Sequence, residues 1–265
     1  MKHQHFRGII EQCQHDSTVC QASMGYAVFE PHQPTTHALI ILPDLHDRPT
    51  DFLIYSGLLN NANCRLFCPD TSPRVRLEDD TEEPDFGFGA SFYLDAVQQP
   101  WAEHYQMQSY LDEWLTLLQT QYALDHIGLM GYGMGGHAAL AWAARRPATF
   151  TSLSAMNPIC SLMQSALGQV ALNGFLGVAK KRWVEVDAMQ LLADSEWQQP
   201  IHIDQAETDA RLLTDRRPEL LHQVCATRGI PLNLKIRLGF DHSAFFVQSF
   251  IQAQLQHHQA LAPSS

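Results

Sequence analysis

His126-Ile127-Gly128-Leu129-Met130-Gly131-Tyr132-Gly133-Met134-Gly135-Gly136-His137 passes from an apolar run, through closely spaced glycines, into an alanine-rich stretch that ends at Arg145. That pattern predicts a strand over His126 to Met130, a sharp turn, and a helix over Met134 to Arg145. Segments of the same two kinds alternate on either side of it. His37 to Leu42 is a fully apolar strand, as a central strand covered on both faces should be. Gly25 to Phe29, Cys64 to Cys68, Phe150 to Met156, Pro200 to Asp204 and Leu232 to Leu238 read as further strands. A helix over Trp101 to Gln121 carries Tyr110, Trp114 and Leu117/Leu118 as one apolar stripe. Ser161 to Trp197 is mixed helix and loop, and Ser243 to Gln259 closes the chain as a helix. Strands alternating with helices predict an α/β fold, a mostly parallel central sheet with helices on both faces. No linker or repeat interrupts the pattern, so residues 1–265 are expected to form a single domain.

Charge and composition remove several classes of function. There are 17 Lys+Arg against 28 Asp+Glu, a net charge of -11, where nucleic acid or an anionic membrane would need a basic footprint. The apolar run Ala38 to Leu42 stops at Pro43, and no run in the sequence approaches the roughly 20 residues that span a bilayer. No apolar segment follows the charged residue near Met1, so no signal peptide is expected. The six cysteines are too sparse for a disulfide scaffold. Cys64 and Cys68 would share one side of a strand, and no second pair at similar spacing completes a zinc site. Reduced structural thiols, a cytoplasmic location and no metal or cofactor are the consistent expectation.

Two unrelated chemistries use a glycine-rich turn between a strand and a helix. Gly131, Gly133 and Gly136 satisfy the dinucleotide pattern G-x-G-x-x-G, but that site also needs an acidic residue roughly 20 positions on. After Asp125 no Asp or Glu occurs before Glu185. The other template is G-x-S-x-G, the nucleophile elbow. Gly131-Tyr132-Gly133-Met134-Gly135 fits it everywhere except the centre, where Gly133 replaces the nucleophile. Flanking glycines suit a turn too tight for Cβ atoms, and a central glycine tolerates its strained backbone.

An elbow requires an acid and then a histidine further along the chain. Asp209 and His242 follow the strands Pro200 to Asp204 and Leu232 to Leu238, at the strand ends where open α/β sheets place ligands. His3, His5, His257 and His258 read as solvated or terminal.

With those residues in view the chain resembles the S-formylglutathione hydrolases (esterase D), a family of α/β-hydrolases. The resemblance spans nearly the whole sequence. It is carried by His15-Asp16-Ser17, Pro69-Asp70-Thr71-Ser72-Pro73-Arg74, Asp85-Phe86-Gly87, Phe92-Tyr93-Leu94-Asp95-Ala96, Gln99-Pro100-Trp101 and Tyr105 to Tyr110. Met134-Gly135-Gly136-His137, Asn157-Pro158-Ile159-Cys160, Ile203-Asp204-Gln205 and Asp241-His242-Ser243 continue it. It implies an α/β-hydrolase fold and a cytoplasmic, homodimeric serine hydrolase that splits S-formylglutathione into glutathione and formate. The implied ligand is a small thioester or ester, such as a glutathione conjugate. It further implies Asp209 as the acid, His242 as the base, and the N–H groups of Leu45 and Met134 as the oxyanion hole. The nucleophile position falls on Gly133.

Two departures matter. Without the serine hydroxyl no acyl-enzyme forms, and loss of such a nucleophile costs on the order of 10⁶ in turnover. Leu42-Pro43-Asp44-Leu45-His46-Asp47 replaces a loop of Ser-Gly-Leu-Thr-Cys type, so a carboxylate sits beside one proposed oxyanion donor. Severely impaired hydrolysis is therefore expected, with His242 facing a space the size of a serine side chain. In that space His242 could activate a water. On this reading Gly133→Ser restores turnover with little effect on stability. A non-catalytic binding or dimerisation partner is the alternative.

Overall fold

The computed structural model describes residues 1–77 and 85–261. The acidic stretch Leu77 to Asp85, expected to be a surface loop, falls largely outside the described residues. Among the described residues nine strands form one sheet: β1 (Lys2–His5), β2 (Gly8–Ser17), β3 (Ala22–Pro31), β4 (His37–Leu42), β5 (Arg65–Pro69), β6 (His126–Tyr132), β7 (Ser152–Met156), β8 (Ile201–Ala206) and β9 (Leu232–Arg237). Their order is β1-β2-β3-β5-β4-β6-β7-β8-β9. The pairs from β5 through β9 are parallel, and β1, β2 and β3 join antiparallel at one edge.

Strand β4 shows why the sheet is covered on both sides. Its alternate residues Ala38, Ile40 and Leu42 enter one hydrophobic cluster, and Leu39 and Ile41 enter a second. A period of two sends successive side chains to opposite faces, so a strand apolar at every position needs a layer on each. The helices are α1 (Pro49–Tyr55), α2 (Met107–Gln121), α3 (Met134–Arg145), α4 (Ala166–Leu176), α5 (Lys180–Val184), α6 (Ala188–Asp194), α7 (Pro218–Arg228) and α8 (Ala244–Leu261). Helices α1 and α8 supply the smaller cluster through Phe52, Leu53, Phe246, Val247 and Ile251. Helices α2 and α3 feed the larger one through Tyr110, Trp114, Leu118, Leu140 and Trp142.

Several boundaries differ from expectation for local reasons. The helix expected from Trp101 begins at Met107; Trp101–Glu103 is a separate 3₁₀ turn. Gln106 separates them with a non-helical backbone, its side-chain amide donating to the carbonyls of Ala96 and Ala102. Strands β1 and β2 were not anticipated. The run Gly8–Ser17 of β2 is largely polar because the strand lies near an edge and alternates buried and half-exposed positions over part of its length. His258 is not solvated: its ring is buried between the hydroxyls of Ser152 (2.7 Å) and Ser154 (2.8 Å), and desolvation holds its pKa well below the usual histidine value. His257 likewise bonds the Leu153 carbonyl.

Candidate active site

The strand–turn–helix at Gly133 is as tight as its glycines suggest. Gly133 has φ 53° and ψ −112°, a conformation L side chains rarely adopt, and α3 starts at the next residue. A Cβ on Gly131 would collide with the Gly135 carbonyl, and one on Gly135 with the Leu42 carbonyl. Helix α3 is thereby pressed onto the ends of β4 and β6, with its first N–H groups aimed across the sheet edge.

The space beside Gly133 is not empty. A Cβ built on Gly133 would fall inside the carboxylate of Asp44, against Cγ and both oxygens. Asp44 follows β4 through Pro43, and its side chain crosses into the position expected for the nucleophile. Its Oδ1 accepts the N–H of Met134 at 2.6 Å, and its Oδ2 lies 2.7 Å from His242 Nε2. The expectation of a serine-sized gap is therefore corrected: the gap is filled by a charged side chain. The water-activation reading loses the space it needs for the same reason. Burial raises the Asp44 pKa, but the hydrogen bond and charge of His242, the charge of Arg216 and the Met134 N–H outweigh it and bring the carboxyl down to about 2.

His242 comes from the loop after β9 and stacks on Tyr132, with ring centroids 4.5 Å apart and planes 14° from parallel. Its Nδ1 faces the side-chain amide nitrogen of Asn157 at 3.1 Å. The orientation of that amide follows from its other end, where Asn157 Oδ1 accepts the Ala206 backbone N–H at 2.6 Å. The Asn157 NH₂ group therefore donates to Nδ1, so the proton of a neutral imidazole sits on Nε2, facing Asp44. A histidine that receives a proton from a hydroxyl at position 133 would need the opposite tautomer.

Asp209, the acid expected to orient His242, stands at 3.7 Å from Nδ1, too far for a hydrogen bond. Its carboxylate is engaged elsewhere: Arg216 Nε donates to Oδ2 at 2.8 Å and the Arg211 N–H to Oδ1 at 2.8 Å. Arg216 and Asp209 are both buried, so the pair neutralises itself. The structure thus brings Gly133, Met134 and His242 together around Asp44, with Asp209 one step behind. Leu45 adjoins Asp44 in the chain and packs its side chain, half-buried, on the larger core.

Two residues of this cluster were missed from sequence. Asn157 follows β7 in a left-handed conformation, φ 42°, and belongs to the block Asn157-Pro158-Ile159-Cys160, whose sequence by itself assigns it no role. Arg216 carries no motif and reaches the site from a π-helical turn, Leu212–Arg216. Nearby, Asp47 accepts the Tyr55 hydroxyl at 2.9 Å. Burial, opposed by the Tyr55 hydrogen bond and reinforced by the charge of Asp44, pushes its pKa up to about 7.

Among the described residues no group of His, Cys, Asp and Glu could hold a metal ion, and no helix is long and apolar enough to cross a membrane.

Sheet order, elbow and loop positions define an α/β-hydrolase fold. Residues 18–258 match the Esterase family model, and the chain belongs to that family. It is similar to an S-formylglutathione hydrolase from Agrobacterium tumefaciens, with 30% identity, 99% of each chain covered and a TM-score of 0.91. The fluorophosphonate-binding serine hydrolase F of Staphylococcus aureus shares the fold at 14% identity, with 97% of this chain and 100% of that one covered and a TM-score of 0.73. An S-formylglutathione hydrolase from the same organism does so at 13% identity, with 94% and 98% covered and a TM-score of 0.68.

Proposed function

We propose that this chain is a relative of the S-formylglutathione hydrolases whose site is shaped for small thioesters or esters but whose acyl-enzyme chemistry is severely impaired. One observation carries the reading: the Asp44 carboxylate lies where the attacking oxygen would stand and takes up both the Met134 N–H and His242 Nε2. A fixed anion there opposes the negative charge that an acyl transfer develops on the substrate oxygen. Losing one oxyanion donor alone costs about 3–4 kcal/mol. The roles assigned to Gly133 as vacated nucleophile position, His242 as base, Asp209 as acid, and Leu45 and Met134 as oxyanion donors rest on the resemblance and on this grouping. A cytoplasmic homodimer acting as one domain, without cofactor, is the setting the resemblance supports.

Assays with S-formylglutathione and p-nitrophenyl acetate test the reading. The expected result is no turnover above buffer for the protein as it stands, and a gain of orders of magnitude for Gly133→Ser combined with Asp44→Gly. Brisk hydrolysis by the unaltered chain overturns it. The same plugged site favours a second reading, a non-catalytic relative that binds a glutathione conjugate. Calorimetric titration with S-methylglutathione, a non-hydrolysable thioether, separates the two: binding without turnover in either form of the protein supports the second.

A further inference from the structure

We propose that Asp44 is itself a nucleophile and that the site hydrolyses small primary haloalkanes through an alkyl ester formed on this carboxylate. The inference goes beyond the acyl reading and rests on what surrounds Asp44. Carboxylates serve as enzymatic nucleophiles when ionised and held in place. Asp44 is held at both oxygens, by the Met134 N–H at the start of α3 and by His242 Nε2. About a tenth of its side chain and a quarter of that of His242 remain exposed, so the pair opens onto solvent.

Leaving-group chemistry selects the substrate class. In a tetrahedral adduct with a thioester, a carboxylate this acidic would be expelled before the much more basic thiolate, and the attack would simply reverse. At a saturated carbon bearing bromide the order is opposite, because bromide is the conjugate base of a far stronger acid.

In the first step Asp44 Oδ2 attacks the carbon; the C–O bond forms as the C–Br bond breaks, and bromide leaves in line to solvent. Asp44 is then a neutral ester, and no anion holds the proton on His242 Nε2. For Nε2 to act as a base the proton moves to Nδ1, where the Asn157 NH₂ gives way and the charge of Asp209, 3.7 Å off, favours it. Nε2 then takes a proton from water, whose oxygen adds to Asp44 Cγ. The charge this places on Oδ1 falls on the Met134 N–H that already holds that atom. Collapse breaks the bond from Cγ to the alkyl oxygen, and His242 returns its proton to the departing alcohol. The carboxyl left behind keeps the oxygen of water and loses its proton to solvent. The sum is haloalkane plus water giving alcohol, bromide and a proton.

The test uses the full chain with 1-bromopropane in oxygen-18 water, following bromide release and the mass of the peptide containing Asp44. Bromide release above the level of Asp44→Asn, with one oxygen-18 atom retained on Asp44, is the expected result. In His242→Gln the second step should stall and a propyl ester should accumulate on Asp44. Equal bromide release from wild type and Asp44→Asn, propyl groups confined to cysteines, or an unlabelled Asp44 peptide would overturn the proposal. Should Asp44→Asn fail to fold, the label in the wild-type peptide decides alone. The acyl reading stands or falls on S-formylglutathione, a separate substrate, so the two failures are distinguishable.

Discussion

Asp44 Oδ2 lies 2.7 Å from His242 Nε2, inside the volume a side chain at position 133 would need. One carboxylate therefore substitutes in space for a missing hydroxyl while reversing the charge presented to any incoming carbonyl. Glycine at 133 and aspartate at 44 are sterically coupled: the first makes room for the second.

Restoring serine alone should fail. In Gly133→Ser the new Cβ meets the Asp44 carboxylate, and the residue must also adopt φ 53°. Backbone strain and overpacking of this kind cost about 1–3 kcal/mol each. We expect a lower melting temperature and no gain in p-nitrophenyl acetate hydrolysis. Adding Asp44→Gly should recover part of the stability and uncover activity, read by the same two measurements.

The tautomer of His242 can be observed directly. Nitrogen-15 spectra taken where the imidazole is neutral should show a protonated Nε2 and an unprotonated Nδ1. Asn157→Leu removes the donor to Nδ1, and the proton should then redistribute towards Nδ1. A neutral ring protonated on Nδ1 in the wild type contradicts the assigned network.

Asp44 should stabilise the fold except in acid. Its pKa falls from 3.8 to about 2 on folding, so its contribution is present above 3.8 and lost as pH drops through 2. The shift corresponds to roughly 2 kcal/mol. Urea unfolding of wild type and Asp44→Asn should therefore differ by about that amount at pH 6, and the difference should shrink below pH 4.

Asp47 should act in the opposite sense. Its pKa rises from 3.8 to about 7 on folding, so the stability tied to its protonated form is full below 3.8 and disappears as pH rises through 7. Asp47→Asn keeps an acceptor for the Tyr55 hydroxyl and removes the titration. The variant should match wild type near pH 4 and exceed it at pH 8 by up to roughly 4 kcal/mol, measured by denaturant melts.

Sequence alone was enough for the architecture, because apolar periodicity and glycine placement act locally. The continuous apolar run of β4 required a layer on each face, and Gly131, Gly133 and Gly135 required the sharp entry into α3. Asp209 and His242 could be placed at the strand ends from chain order. Strand β2 shows little apolar signal because it lies second from the sheet edge and most of its positions are at least partly exposed. The identity of the group beside His242 also could not be read in advance. Asp44 and Met134 are separated by 90 positions, and whether the carboxylate turned inward depended on the space left by Gly133 and on two partners that follow β6 and β9, the Met134 N–H and His242 Nε2. The resting proton of His242 likewise depends on an asparagine whose orientation is set by the Ala206 backbone N–H. Side-chain direction and protonation are settled by neighbours that exist only once the sheet has formed.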